Sequence, residues 1–202
     1  MKFKWWWIPA GLIVMYAAAF PFYFRSPEYP LFFTVYSIFN GTLEHQTIDS
    51  KKEQLVSNYE EVAIGSIAPN FTLPNLEGKG VSLSDFEGQT VLLTFWASWC
   101  PTCRAENKNL KEIYPEYKKK GFEILAVSLD RSKNNWRKAV EKDEIFWPQV
   151  SDLKGVDSPV ATKYGVYSTP TTFLIDSSGV VVEKDLRGGE LELRIQELGM
   201  FE

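Results

Sequence analysis

Two kinds of hydrophobic pattern divide the chain, and the first is a long uncharged run at the N-terminus. Between Trp5 and Phe24, 20 consecutive residues carry no charge, and a helix of that length covers about 30 Å, the thickness of the hydrocarbon core of a bilayer. Two lysines precede the run, whereas the arginine and the glutamate that follow it nearly cancel in charge. The positive-inside rule therefore predicts a transmembrane anchor over residues 1–25, with the remainder of the chain outside the cytoplasm.

A cleaved signal peptide is the alternative interpretation of this segment. Ala17, Ala18 and Ala19 offer the small residues of a cleavage site, behind a basic start and a short apolar core. The hydrophobic run does not stop there but continues through Phe24. We therefore favour the anchor, through residues 5–24, over cleavage.

Residues 26–64 are predicted to connect the anchor to a folded domain. Residues 31–39 are apolar but too short to span a bilayer. Residues 44–62 are polar and compatible with a helix, and we expect them to be solvent-exposed.

The second pattern begins at Gly65, where short apolar stretches alternate with turn residues and predict one domain over residues 65–202. Residues 91–96 and 123–129 are continuous apolar runs, as expected of strands buried on both faces. The other predicted elements are a hairpin formed by residues 71–73 and 81–83, helices at 101–120, 132–142, 157–164 and 190–198, and strands at 171–175 and 180–184. This order predicts a mixed α/β sandwich of three layers.

Composition and charge narrow the function classes. Of the 202 residues, 45% are hydrophobic and 15% aromatic, which excludes a disordered chain. The net charge of −4 argues against nucleic-acid binding, which requires a basic face. Two cysteines and one histidine supply neither a disulfide-dense scaffold nor a four-ligand zinc site, and we expect no cofactor besides the cysteine pair itself.

The only two cysteines are three residues apart, in the segment Trp99-Cys100-Pro101-Thr102-Cys103. The pair lies where a buried strand is predicted to turn into a helix, and Pro101 suits the first helical position. Cys100 should then lie at the helix N-terminus, where unpaired N–H groups favour a thiolate, with Cys103 more shielded one turn later. The pattern predicts a nucleophile, Cys100, and a resolving thiol, Cys103.

Pro170 opens a predicted buried strand, where a proline is unusual because it removes a hydrogen bond of the sheet. A cis Thr169–Pro170 bond would turn the backbone so that Thr169 can pair with an incoming peptide. On the sequence alone, an ordinary trans proline before an edge strand stays the alternative, since few X–Pro bonds are cis.

Together these motifs resemble thioredoxin-fold proteins of the TlpA/ResA type, membrane-anchored thiol–disulfide oxidoreductases of the bacterial envelope. The resemblance covers residues 65–198. It rests on the segments APNF at 68–71, LSDFEG at 83–88, FWASWCPTCRAE at 95–106 and TPTTFLID at 169–176. It implies a thioredoxin-like three-layer sandwich with an N-terminal β-hairpin extension, preceded by one transmembrane helix.

The resemblance also implies roles for individual residues. Pro170 should be cis and lie beside the cysteine pair, and Trp99, Pro101, Thr169 and Pro170 should contact the substrate. It implies protein thiols and disulfides as substrates, a membrane electron donor, and a location at the cytoplasmic membrane with the domain facing the periplasm or the cell exterior.

Two departures from related proteins concern acidic side chains. Thioredoxins carry a buried acid in the strand before the active site, where this chain has Thr94, and ResA-like cytochrome maturation proteins carry one in the first hairpin strand, where it has Pro74. Glu106 matches the family's Cys-Arg-Ala-Glu pattern, and we expect it to make an exposed contact along the helix.

The favoured function is reduction of disulfides in envelope proteins, with cytochrome c or other metalloprotein maturation as the setting that the resemblance suggests. A thiol-dependent peroxidase of the AhpC/TSA type is the first alternative, although the threonine of its Pro-x-x-x-Thr-x-x-Cys pattern is replaced by Ala97. A dithiol copper-handling protein is the second, against which the chain offers no cluster of further soft ligands.

Overall fold

The computed structural model describes residues 48–198, and the predicted anchor and the apolar stretch at 31–39 lie outside this range. Residues 51–198 belong to one compact unit. Within 48–198, the helices are too short or too polar to cross a bilayer.

The elements follow the predicted order closely. The helices are α1 (48–61), α2 (Pro101–Lys118), α3 (Lys133–Lys142), α4 (Pro159–Lys163) and α5 (Gly188–Glu197). The strands are β1 (Thr72–Pro74), β2 (Gly80–Ser82), β3 (Thr90–Trp96), β4 (Phe122–Ser128), β5 (Gln149–Val150), β6 (Thr171–Ile175) and β7 (Val181–Lys184). Short 3₁₀ turns at Leu83–Phe86 and Gly155–Asp157 complete the described chain.

A five-stranded mixed sheet in the order β5-β4-β3-β6-β7 forms the centre of the molecule. Strand β3 runs parallel to β4 and antiparallel to β6, so that Leu93 lies between Leu125 and Phe173. Every residue of β3, β4 and β6 is buried, as the continuous apolar runs predict. Strands β1 and β2 pair with each other as a separate antiparallel hairpin. The mixed α/β architecture is therefore confirmed.

Strand β5 and the form of the predicted helix at 157–164 are the main differences from the predicted elements. Strand β5 has only two residues, too few for an alternating pattern to reveal. In place of one helix over 157–164, a 3₁₀ turn ends at Asp157 and α4 starts at Pro159, with the Ser158 hydroxyl accepting a hydrogen bond from the backbone N–H of Ala161.

Helix α1 packs on the domain, although its polar composition predicts a solvent-exposed stretch. Most of its side chains are exposed, but Leu55, Asn58 and Tyr59 follow helical spacing and face the domain, as does Val62 directly after the helix. The side-chain amide of Asn58 donates to the carbonyl of Thr162 at 2.7 Å. The expectation that all of residues 44–62 are solvated is therefore wrong for this face of α1.

Tyr164 links the chain just before β1 to the central sheet. Its ring packs against Phe95 and Phe173 with centroids 5.4 and 5.1 Å away, and it has no exposed surface. Its hydroxyl donates to the carbonyl of Pro69 at 2.7 Å. Burial raises the pKa of the Tyr164 phenol well above its ordinary value of 10.0, since the ionised form would lose its hydration.

We expect Tyr164 to make the folded state sensitive to alkali. Its pKa is raised in the folded chain, so its contribution to stability is complete below pH 10 and is lost as the pH rises above 10. Urea unfolding of the full chain should show wild type losing about 1.4 kcal/mol more than Tyr164→Phe between pH 9 and pH 11. An equal loss in both proteins would contradict this role.

Candidate active site

Cys100 and Cys103 form a disulfide at the start of α2, with Cα atoms 5.3 Å apart. Cys100 is the N-cap residue, with extended backbone angles, and Pro101 occupies the first turn of the helix. The backbone N–H of Cys103 donates to Cys100 Sγ at 3.1 Å. Both cysteines are buried, with 4% and 1% of their surface exposed. The sulfur of Cys100 thus takes the place that a serine or aspartate oxygen takes in an ordinary N-cap.

Thr102 provides a second hydrogen bond to the same sulfur. Its hydroxyl oxygen lies 3.3 Å from Cys100 Sγ, and because a disulfide sulfur carries no proton, the hydroxyl is the donor. Cys100 Sγ therefore has two neutral donors and the N-terminal end of a helix dipole around it. All three favour negative charge on this sulfur once the disulfide is reduced.

The second predicted motif lies directly beside the cysteine pair. The Thr169–Pro170 peptide bond is cis, and the carbonyl oxygen of Thr169 is 3.7 Å from Cys100 Sγ. Pro170 is buried, whereas Thr169 is partly exposed. The fold therefore brings together residues that are 69 positions apart in the chain.

A groove of about 210 Å³ opens next to this contact. Two strongly exposed aromatic residues flank it, Trp99 at 61% and Tyr167 at 59% exposure. The complete lining is Trp99, Leu129, Val156, Val166, Tyr167, Ser168 and Thr169. These lining residues are all uncharged, so the groove suits an apolar or neutral chain segment better than a charged one.

The predicted contact residues divide between the groove and its surroundings. Trp99 and Thr169 line it, whereas Pro101 is exposed at the helix start and Pro170 is buried behind the loop. Leu129, Val156, Val166 and Tyr167 were not predicted, because they come from three loops that only the folded chain brings together.

Arg187 holds the loop that carries Pro170. Its guanidinium donates to the carbonyl of Pro170 at 2.6 Å, and the hydroxyl of Thr171 donates to the carbonyl of Ser168 at 2.9 Å. Arg187 lies 17 residues after Pro170 and belongs to no motif, so the sequence carries no signal for this contact.

Asp130 supports the loop on the other side of the disulfide. It is 2% exposed and accepts hydrogen bonds from the backbone N–H and the hydroxyl of Ser98, at 2.9 and 2.5 Å, and from the hydroxyl of Ser128. Arg104 donates to the Ser98 carbonyl and forms an ion pair with Asp143. Ser98 follows β3 and Asp130 follows β4, and the carboxyl ends of these parallel strands meet at one edge of the sheet. The contact between Ser98 and Asp130 could therefore have been predicted from the sequence.

Glu106 is buried, and the expectation of an exposed helix contact is wrong. It is 9% exposed, and its carboxylate accepts from the backbone N–H of Gly188 at 2.8 Å and from the side-chain amide of Asn109 at 3.1 Å. The start of α5 lies against α2 and covers it. Thr94 is buried within β3, and Pro74 ends β1, where its carbonyl accepts from the N–H of Ser151.

Comparison with protein families matches residues 64–184 to the AhpC/TSA family. The chain is 37% identical over 141 residues to the thiol-disulfide oxidoreductase ResA of Bacillus cereus, an alignment that covers 70% of this chain and 79% of that protein. It is 44% identical over 120 residues to the ResA of Geobacillus thermodenitrificans, covering 59% of this chain and 67% of the relative.

Solved structures agree with this assignment. The thioredoxin domain of a thiol-disulfide oxidoreductase from Bacteroides vulgatus superposes with a TM-score of 0.64 at 40% identity, covering 67% of this chain and 97% of that domain. A thiol-disulfide oxidoreductase from Bacteroides fragilis gives a TM-score of 0.63 at 38% identity, covering 66% and 99%. The chain therefore belongs to the AhpC/TSA family and is a thiol–disulfide oxidoreductase with a thioredoxin-like fold.

Proposed function

We propose that the protein reduces disulfides of extracytoplasmic proteins through Cys100 and Cys103. The observation that carries the proposal is the position of Cys100 Sγ, at a helix N-terminus and 3.7 Å from the Thr169 carbonyl, beside an uncharged groove. The protein that is reduced is here called the client. An extended segment of the client can lie along Thr169, with its cysteine at Cys100 and a neighbouring apolar side chain in the groove.

The reaction transfers two electrons from the dithiol of Cys100 and Cys103 to a disulfide of the client. The Cys100 thiolate attacks one sulfur of the client disulfide, the client S–S bond breaks, and its other sulfur leaves as a thiolate that takes up a proton. The Cys103 thiolate then attacks Cys100 Sγ in the mixed disulfide and releases the second client thiol. The client is reduced by two electrons, and the protein ends with the Cys100–Cys103 disulfide.

The hydrogen-bond donors around Cys100 Sγ are uncharged, which favours reduction of client disulfides over their formation. The two donors on Cys100 Sγ, the Cys103 N–H and the Thr102 hydroxyl, carry no charge. A strongly oxidising pair requires a strongly stabilised thiolate, since that stabilisation favours the reduced form. Two neutral donors and a helix dipole supply less of it than a cationic neighbour would.

The sequence supports a place for this activity at the cytoplasmic membrane. The uncharged run at 5–24 and the lysines before it favour an anchor with the domain in the periplasm or at the cell exterior. There the electrons would come from a thiol-carrying membrane protein. The resemblance to TlpA/ResA proteins favours apocytochrome c or other metalloprotein precursors as clients, and the reaction needs no cofactor beyond the cysteine pair.

Single cysteine variants test which sulfur attacks the client. After reduction, the Cys103→Ser chain should accumulate a mixed disulfide between Cys100 and a disulfide-containing peptide, because the resolving thiol is missing. The Cys100→Ser chain should form none, and both variants should lose catalytic insulin reduction. Mass spectrometry of the trapped species is the measurement, and trapping through Cys103 would contradict the assignment.

The reduction potential of the pair tests the direction. We expect the full chain, equilibrated with glutathione or dithiothreitol buffers, to have a potential near or below about −250 mV, as thioredoxin does. A value near about −120 mV would instead identify an oxidant that makes disulfides. Tryptophan fluorescence provides the signal, since Trp99 adjoins the pair.

Thr102→Val should make the pair more reducing. The variant removes the hydroxyl donor on Cys100 Sγ while keeping the shape of the side chain, so the thiolate of the reduced form loses about 1 kcal/mol of stabilisation. The potential should fall by about 20 mV, and the pKa of the Cys100 thiol should rise by about 0.7. Thr102→Ser retains the hydroxyl and is the control, and equal shifts in both variants would exclude a role for the hydrogen bond.

A further inference from the structure

Helix α1 reaches the wall of the client groove through one pair of aromatic rings. The ring of Tyr59 meets the ring of Tyr167 edge to face, with centroids 6.0 Å apart. Tyr59 also packs against Phe173 of β6 at 5.8 Å. Tyr167 has 59% of its surface exposed and lines the groove. Tyr59 therefore lies behind a side chain that is open to an incoming client.

The backbone of α1 is pressed closely against the loop that carries Tyr167. Gly165 has a φ of +61°, and a Cβ atom there would lie 2.1 Å from the backbone nitrogen of Tyr59 and 2.3 Å from the carbonyl oxygen of Leu55. Only glycine allows this approach. Three residues earlier, the Thr162 carbonyl accepts the hydrogen bond from Asn58. The end of α4 and the loop that follows it are thus tied to α1, from Thr162 to Tyr167.

Polar contacts hold Tyr59 itself in one position. Lys184 of β7 donates to the carbonyl oxygens of Tyr59 and Val62, at 2.5 and 3.0 Å, and its ammonium lies 3.5 Å from the centre of the Tyr59 ring. The Tyr59 hydroxyl donates to the carboxylate of Asp185. A cation over the ring and a hydrogen bond at its far end leave the side chain little freedom.

We propose that Tyr59 is a positioning residue for client recognition, acting through Tyr167. It fixes the Tyr167 ring as one wall of the groove, so that a client with an apolar side chain next to its cysteine meets a preformed surface. This inference rests on the proposed reduction of protein disulfides. It assigns a recognition role to α1, which precedes the region matched to the family.

The test separates client recognition from chemistry at the cysteines. The reduced full chain is mixed with increasing amounts of a peptide disulfide that carries phenylalanine next to its cysteine, and oxidation is followed by tryptophan fluorescence. The same chain is then oxidised with 2-hydroxyethyl disulfide, which carries no apolar side chain to pack against Tyr167. Reduction potentials are measured for every variant.

Tyr59→Ala should raise the half-saturating peptide concentration roughly three- to ten-fold, as expected for the loss of one aromatic contact. The rate at saturation and the rate with the small disulfide should each stay within two-fold of the wild-type rate. The reduction potential should be unchanged. Tyr59→Phe keeps the ring and is the matched control. Tyr167→Ala should show the same loss, and the double variant should show no further loss.

Each other outcome has a distinct meaning. An unchanged half-saturating concentration in Tyr59→Ala, or an equal slowing with both disulfides, would overturn the inference. If Tyr59→Ala fails to fold, Tyr59→Leu keeps a branched apolar side chain but removes the aromatic ring, and the same comparison applies to it. A wild-type chain that reacts with neither disulfide would overturn the proposed function and this inference together.

Discussion

The hydrogen bond from the Cys103 N–H to Cys100 Sγ ties the chemistry of this protein to the first turn of one helix. Strand β3 is central in the sheet and buried on both faces, so its carboxyl end has a fixed place. The chain leaves β3 and enters α2 within four residues, with Pro101 setting the helical start. Cys100 becomes the N-cap as a consequence, and its sulfur accepts a hydrogen bond from the N–H of Cys103 in the first turn.

The opposite side of the disulfide depends on contacts from three distant parts of the chain. The segment from Tyr164 to Pro170 is held by the Pro69 carbonyl, which accepts from the Tyr164 hydroxyl, by α1 at Gly165, and by the Arg187 guanidinium at the Pro170 carbonyl. Each contact acts at a different point of the segment. The Thr169 carbonyl is therefore presented to Cys100 by a loop with little freedom to move, which reduces the entropy lost when a client binds.

The features that the sequence predicts are those that depend on local order along the chain. Strands β3 and β4 are continuous apolar runs, and the cysteine pair follows β3 directly. The position of the pair at the end of a buried strand can therefore be predicted from the order of residues alone. The sequence does not predict that one face of α1 packs on the domain, because Asn58 interrupts the apolar spacing of that face and lysines and glutamates surround it. Arg187 and Tyr167 act through tertiary contacts alone, and a single sequence does not indicate which loops contact each other in the fold.

Glu106 is a buried acidic side chain that connects the two halves of the site. Both of its carboxylate oxygens are engaged, one by the N–H of Gly188 and the other by Asn109. Gly188 is the first residue of α5, a helix whose N-cap residue, Arg187, provides no side-chain cap. The carboxylate supplies the missing acceptor at the positive end of that helix. Since Arg187 is bonded to the Pro170 carbonyl, a buried acid one turn after Cys103 in α2 also helps to place the loop that faces Cys100.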